Sequence, residues 1–219
     1  MEKSEPLPGG IPAAPEFPPN VQTPRDEAIV KAAFCVFSEK GFHGATMLEV
    51  ASRARASKAT LYDRFHNKEG LFYALLEWGS RQSMSHLQSI AEDCGRDPKQ
   101  ALIDYAVAVL DTLMRPEVMA MNRMVIADAG RRPEIARIFN RLTRERGQAM
   151  LRPLVERLKH AGYVAFDDPA EFGGSFVGLL RGDIYYRVLI GIQPPPPADE
   201  IDRLARNAVT RVLRAFAPR

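Results

Sequence analysis

From Arg25 onward the chain is an almost continuous series of apolar residues at three- and four-residue steps, and that spacing restricts it to helix-built folds. Ile29, Ala32, Ala33, Val36 and Phe37 form the first such run, and Gly41 stands where a left-handed residue would close it. No segment alternates apolar and polar residues between hairpin turns, so the reading is all-α, without a sheet. Proline marks several helix starts. Asp97-Pro98, Pro133 and Asp168-Pro169 each put proline in a first turn, where the missing amide has no helical partner to lose. The run Pro194 to Pro197 interrupts the pattern before a last helix over Ala198 to Phe216. Its stripe is Ile201, Leu204, Ala205, Ala208, Val212, Ala215 and Phe216, with Asp199, Glu200 and Asp202 at its start and Arg211 and Arg214 near its end, as the helix dipole favours. The count comes to about nine helices.

Residues 1–24 contrast with this. Pro6, Pro8, Pro12, Pro15, Pro18, Pro19 and Pro24 remove amide donors and fix φ, so the segment reads as a disordered tail or, alternatively, a proline-rich docking peptide. A composition of 46% hydrophobic and 26% charged residues suits a soluble protein with a sizeable core. The net charge of +3 permits nucleic-acid binding without requiring it. Cys35 lies in an apolar run and is expected to be a buried thiol, and Cys94 lies near a loop. The N-terminus lacks a signal peptide, and the longest apolar stretch, Phe172 to Ile192, holds Arg181, Asp183 and Arg187, which are costly at mid-bilayer. A cytoplasmic protein is expected, with no membrane partner. His43, His66, His86 and His160 fall at no metal-ligand spacing, and neither a metal nor another cofactor is expected.

The segment Thr46 to Phe65 carries the functional signal. Thr46 and Glu49 have capping-box spacing and start a short helix braced by Leu48, Val50 and Ala51. Ser57 caps a second helix, with Leu61 and Phe65 at i and i+4 as its anchors. That leaves Ser57, Lys58, Ala59, Thr60 and Tyr62 facing outward, the arrangement by which a helix reads the major groove. Asn67 caps the next helix, whose free amides and Lys68 suit a flanking phosphate. Between Arg53 and Lys68 the bases are Arg53, Arg55, Lys58, Arg64 and Lys68, against the single acid Asp63. A capped helical hairpin with a solvated basic face would show the same charge bias.

The order of residues decides between these readings. Gly41-Phe42, Ala45-Thr46, Ser57-Lys58-Ala59-Thr60-Leu61-Tyr62 and Phe65-His66-Asn67-Lys68-Glu69-Gly70-Leu71 follow one pattern at fixed offsets. Over Arg25 to Leu76 the chain resembles the N-terminal domain of the TetR family of bacterial transcriptional regulators. It departs at Arg55, where the family usually has glycine, at Ala56, where valine is common, and at Arg64, which replaces a frequent histidine or tyrosine. Arg55 fits if the turn needs no positive φ, and it then adds a basic contact. The resemblance implies a DNA-contacting set of Thr46, Arg55, Ser57, Lys58, Ala59, Thr60, Tyr62, Arg64, His66 and Lys68. It implies a helix-turn-helix DNA-binding domain over 25–70 and a ligand-binding and dimerisation domain over 71–219.

In the second domain Gly174, Gly178 and Gly182 recur every four residues and leave a side-chain-free groove. Close packing within one subunit would use such a groove as well as a dimer would. The resemblance implies that the last two helices form a four-helix dimer interface, with Gly174, Gly178, Gly182, Leu204, Ala208 and Val212 as candidates. It also implies a homodimer on a near-palindromic double-stranded operator, released when a small-molecule inducer binds. Met114, Met119, Met121 and Met124 suit an adaptable pocket or a plain core. Arg181 and Tyr185 could orient a polar ligand group, though interface ion pairs explain the charges equally well. Motifs of enzymes such as G-x-S-x-G, the P-loop and H-E-x-x-H do not occur, and no enzymatic activity is expected. A helical small-molecule carrier or interaction module without a DNA role is the rival reading.

Overall fold

Side-chain caps set most of the helix starts in the computed structural model, which describes residues 21–218. The elements are α1 (Pro24–Gly44), α2 (Met47–Arg53), α3 (Lys58–Phe65), α4 (Lys68–Glu92), α5 (Pro98–Met114), α6 (Pro116–Ala129), α7 (Pro133–Asn140), α8 (Arg146–His160), α9 (Pro169–Leu189) and α10 (Ala198–Ala215). One π turn, Arg141–Glu145, joins α7 to α8 without a break. Counting that pair as one rod leaves nine, and no strand occurs among the described residues. The proline-rich tail lies mostly outside the described residues. Its last four positions do not, and of these Thr23 and Pro24 open α1, through a capping box of Thr23 with Asp26.

The chain divides into two compact units, one ending at Trp78 and the other beginning at Gly79. In the first, α2 packs on both α1 and α3, and Phe37 and Phe42 of α1 form an aromatic cluster with Phe72 of α4. Phe37 and Phe42 stack at 5.6 Å, and Phe72 meets them edge-on at 5.2 and 5.0 Å. Leu61 and Phe65 are fully buried beneath α3, as their spacing predicts. The bracing helix differs in register. Met47 is buried with Val50 and Ala51, whereas Leu48 is 65% exposed, because only one of two adjacent helix positions can face the core. Cys35 is exposed rather than buried, since Ala32, Ala33, Val36 and Phe37 occupy the inward side of α1.

In the second unit α5 packs against α8, α9 and α10, and α10 also lies along α9. Phe172 is fully buried and its ring lies 5.2 to 6.4 Å from those of Phe166, Phe176 and Phe216. A smaller cluster joins Leu110, Met114, Met119, Tyr185, Val188 and Ile201. Two candidates for a dimer contact, Ala208 and Val212, lie in the subunit's own core, whereas Leu204 is half-buried against the smaller cluster. The expected glycine groove is interrupted: at Gly182 the backbone leaves the helix, with φ 45° and ψ −157°, so α9 is two rods rather than one.

Candidate nucleic-acid interface

The two caps of the helix-turn-helix form as their spacing requires. The Glu49 amide donates to Thr46 Oγ1 at 3.2 Å, and the Glu49 carboxylate accepts from the Thr46 amide at 3.0 Å. The Lys40 ammonium also pairs with Glu49, holding its carboxyl below the usual range and tying α1 to α2. On α3 the Thr60 amide donates to Ser57 Oγ at 3.0 Å. Asn67 Oδ1 accepts from the Gly70 amide at 2.7 Å and so caps α4.

The turn between α2 and α3 is left-handed at Arg55, where φ is 50°. Glycine would adopt this conformation freely, and an L-side chain adopts it at a cost of about 1–2 kcal/mol. The turn therefore does need positive φ, contrary to the condition under which arginine would fit without strain. His66, which closes α3, has φ 61°.

With Leu61 and Phe65 buried, α3 presents Ser57, Lys58, Ala59 and Tyr62 to the outside, while Thr60 is half-buried with its hydroxyl 2.8 Å from that of Ser57. Tyr62 is 40% exposed, and Lys58 Nζ lies 5.5 Å from its ring. Ala59 between them has no bulk to hold a partner away. A flat face with one cation, two hydroxyls and a methyl group can meet base edges and phosphates together. Thr46 is exposed, but its hydroxyl already serves the α2 cap.

The basic residues divide into two groups. Arg53 is paired with Glu39 at 2.7 Å. Lys68 donates to the carbonyls of His43 and Ala45 at 3.2 and 3.0 Å, and its ammonium lies 4.8 Å from the Phe42 ring. Lys68 thus closes the end of α1, as a cation near helix carbonyls should, rather than pointing to a flanking phosphate. Arg64 donates from Nε to Asp26 Oδ1 at 2.9 Å and from Nη2 to Oδ2. Its guanidinium holds the Asp26 carboxyl down at about 2, from an ordinary 3.8, with Thr23 and the Gln22 amide adding to the effect and burial opposing it. Among the described residues, Arg55 and Lys58 are the two of these five without a carboxylate or carbonyl partner, which places the available positive charge at the turn and the start of α3.

Asp26 carries one sequence signal, the capping-box spacing of Thr23-Pro24-Arg25-Asp26 with proline in the first turn, and it marks only the start of α1. Its pairing with Arg64, 38 residues away, leaves no local signal.

In the second unit, Met114, Met119 and Tyr185 meet in one buried cluster. Tyr185 donates its hydroxyl to Asn122 Oδ1 at 3.0 Å, and burial pushes that hydroxyl's pKa up. Arg181 is exposed, with its guanidinium 5.0 Å from the Tyr185 ring. Met121 is half-buried and Met124 is buried outside this cluster. A recess on α7 and the π turn, lined by Ala136, Arg137, Asn140, Arg141 and Glu145, includes none of the candidate ligand residues. Gly178 is exposed, and a Cβ built there meets nothing within 4 Å; Gly174 is half-buried. Leu179 and Tyr186 of α9 and Ile190 just after it are exposed at 37, 58 and 49%. Among the described residues no helix is long and apolar enough to cross a membrane.

Comparison with known proteins agrees with this geometry. Residues 29–75 match the family described as bacterial regulatory proteins, tetR family. Residues 100–218, more than half of the chain, match the C-terminal domain of AefR-like transcriptional repressors. The HTH-type transcriptional regulator YvkB of Bacillus subtilis is 28% identical over 172 residues, covering 77% of this chain and 85% of its own. The crystal structure of a TetR-family transcriptional regulator from Mesorhizobium loti superposes with a TM-score of 0.80 at 25% identity, over 90% of this chain and all of that one. The flavonoid-responsive regulator FrrA gives 0.70 at 29% identity, over 89% of this chain and 98% of its own.

Proposed function

Because this chain belongs to the TetR family of bacterial regulatory proteins, a family of DNA-binding transcriptional regulators and not of enzymes, we propose that it is a repressor released from DNA by a small molecule. The observation that carries this reading is the outward face of α3. Lys58, Ala59 and Tyr62 lie on one side of a helix whose other side, Leu61 and Phe65, is anchored in the core. Inserted in a major groove, Lys58 meets guanine or phosphate, Tyr62 gives a rigid hydroxyl to the backbone, and Ala59 permits close approach. Ser57, Thr60, Thr46, His66 and the free cation of Arg55 complete the contact set. Arg64 and Lys68 support it mainly from behind, through Asp26 and the end of α1.

A single eight-residue helix reads too few base pairs for a genome, so the working form is a cytoplasmic homodimer on a near-palindromic site. The exposed Gly178 and Leu179, on the rod of α9 before the Gly182 break, support the dimer contact better than the buried Ala208 and Val212 of α10 do. The inducer enters the second unit near Tyr185 and Met114, where a buried hydroxyl–amide pair sits among apolar side chains. Likeness to a flavonoid-responsive regulator supports a small, largely apolar ligand. For release, that ligand must bind the DNA-free conformation more tightly than the DNA-bound one.

The test is selection of duplexes from a random-sequence library, followed by titration with salt. A regulator enriches a two-fold symmetric sequence, and its affinity for that sequence falls steeply with salt. Lys58→Ala with Tyr62→Ala abolishes the enrichment while the dimer persists in light scattering. Enrichment unchanged by the double substitution would sink the assignment of α3.

A further inference from the structure

Two buried apolar side chains fix how deep α3 sits, but they do not fix its roll. Leu61 and Phe65 are four residues apart on one line of an eight-residue helix, and apolar contact has no directional preference. A small rotation about that line would leave both buried while moving Lys58 and Tyr62 across the groove. Something directional is needed on the flank of the helix.

Arg64 is placed to supply it. It follows Tyr62 by two residues, about 200° around the helix, so it leaves α3 on the side away from the reading face. Its guanidinium makes a two-point contact with Asp26 through Nε and Nη2. A planar fork against a planar carboxylate fixes orientation as well as distance, which a lysine ammonium cannot do.

The carboxylate is itself immobilised. Asp26 is 5% exposed in its side chain, and it accepts from the Thr23 amide at 3.2 Å and the Gln22 amide at 3.3 Å as well as from Arg64. Its own amide donates to Thr23 Oγ1 at 3.1 Å. One side chain therefore closes the first turn of α1 and holds the flank of α3. Three of its four donors meet Oδ2 and one meets Oδ1, and two of the four are backbone amides at the start of α1, so its position follows that backbone.

We propose that Asp26 is a positioning residue for the reading helix: through Arg64 it sets the roll of α3, and with it the discrimination between DNA sequences, without touching DNA. The inference rests on the reading of α3 as the groove-inserted helix. It assigns Arg64 to the frame of the head, and distinguishes it from Lys58, whose charge is free to meet DNA.

The experiment uses the full chain and two probes, the duplex that the wild-type protein selects from a random library and a scrambled duplex of equal length. Three variants are compared, Asp26→Asn, Arg64→Gln and Arg64→Lys. Asparagine keeps a carbonyl oxygen for the amides of Gln22 and Thr23, so Asp26→Asn removes the ion pair and leaves the cap. Each variant is expected to lose about tenfold in preference for the selected duplex, the equivalent of one misaligned base contact. Binding to the scrambled duplex and the slope of log affinity against log salt stay at wild-type values. The double variant Asp26→Asn with Arg64→Gln is no worse than either single one, because both remove the same strut.

A phosphate contact by Arg64 gives a different pattern. Arg64→Gln then reduces the salt slope by about 0.9, Arg64→Lys binds like wild type, and Asp26→Asn is silent. That pattern overturns the proposal. So does wild-type discrimination in all three variants, or a lowered melting temperature with unchanged discrimination by the folded protein. Arg64→Lys keeps the charge and most of the packing, so it reports even where Arg64→Gln folds poorly. If the wild-type protein selects no duplex at all, the regulator reading fails, and that result is separate from any variant.

Discussion

α3 and α10 carry the same kind of sequence signal, an apolar stripe at helical spacing, yet the stripe leaves the two helices in different surroundings. On α3 the stripe is two residues, Leu61 and Phe65, both buried in the adjacent core, and Ser57, Lys58, Ala59 and Tyr62 are exposed. On α10 the stripe runs the length of the helix, and Ile201, Ala205, Ala208, Val209 and Val212 are all buried within the same subunit. A stripe states that a helix must be covered. It does not state whether the cover is its own chain or a second copy. In the head that question hardly arises, because about fifty residues offer few other surfaces; in the larger unit several partners compete.

The sharpest way to test this contrast is to cut into the cover of the second unit. Phe172→Ala removes a fully buried ring that three other phenyl groups surround, and it should cost about 3–5 kcal/mol in urea denaturation. A much smaller loss would mean that this cluster is not the support of α9 and α10. Glycines on α9 provide the next largest effect. Gly182→Ala should cost about 1–3 kcal/mol, since φ 45° with ψ −157° lies where essentially only glycine is found. Gly178→Leu should leave the folded subunit intact, because the added carbon meets nothing, and should break the dimer in light scattering. A dimeric Gly178→Leu protein would move the interface off this face of α9.

The head responds to pH rather than to cavity formation. Asp26 is held at about 2 in the folded protein against 3.8 ordinarily, so its contribution is complete above the higher value and is lost as pH falls toward the lower. The contribution is on the order of 1–2 kcal/mol, toward the lower figure because Arg64 is partly open to solvent. Acid titration of Asp26→Asn should lack this component between those two values. Arg55→Gly is the smallest change. Relief of the left-handed strain should stabilise the head by about 1 kcal/mol, while loss of a free cation lowers the salt slope of DNA binding by up to about 0.9. A destabilised Arg55→Gly head would show that the arginine side chain supports the turn.

Much of the head was legible because its determinants are local. Capping at Thr46, Ser57 and Asn67 acts over three residues, and the anchors Leu61 and Phe65 act over four. What local signals do not show depends on neighbours in space that are far apart in sequence. The charge of Arg64 and Lys68 is visible along the chain, but not that Asp26 and the carbonyls of His43 and Ala45 engage them. The bracing helix buries Met47 instead of Leu48, a choice that a seven-residue helix with two adjacent apolar positions does not reveal. In the second unit the cap at Asp97 and the proline starts at Pro98, Pro133 and Pro169 were readable, and the Gly182 break was not.

The sequence by itself determined that this protein is all-helical, where most of its helices begin, and that one short helix faces outward with a polar surface suited to DNA. Those properties follow from hydrogen bonds and periodicities that close within a turn or two. Only the tertiary structure decided that Asp26 engages Arg64, that the carbonyls of His43 and Ala45 engage Lys68, and which residues of the last two helices are buried within the subunit. A charge or an apolar stripe is satisfied by whichever complementary group the fold brings near, and that group is identified by position in space, not by distance along the chain.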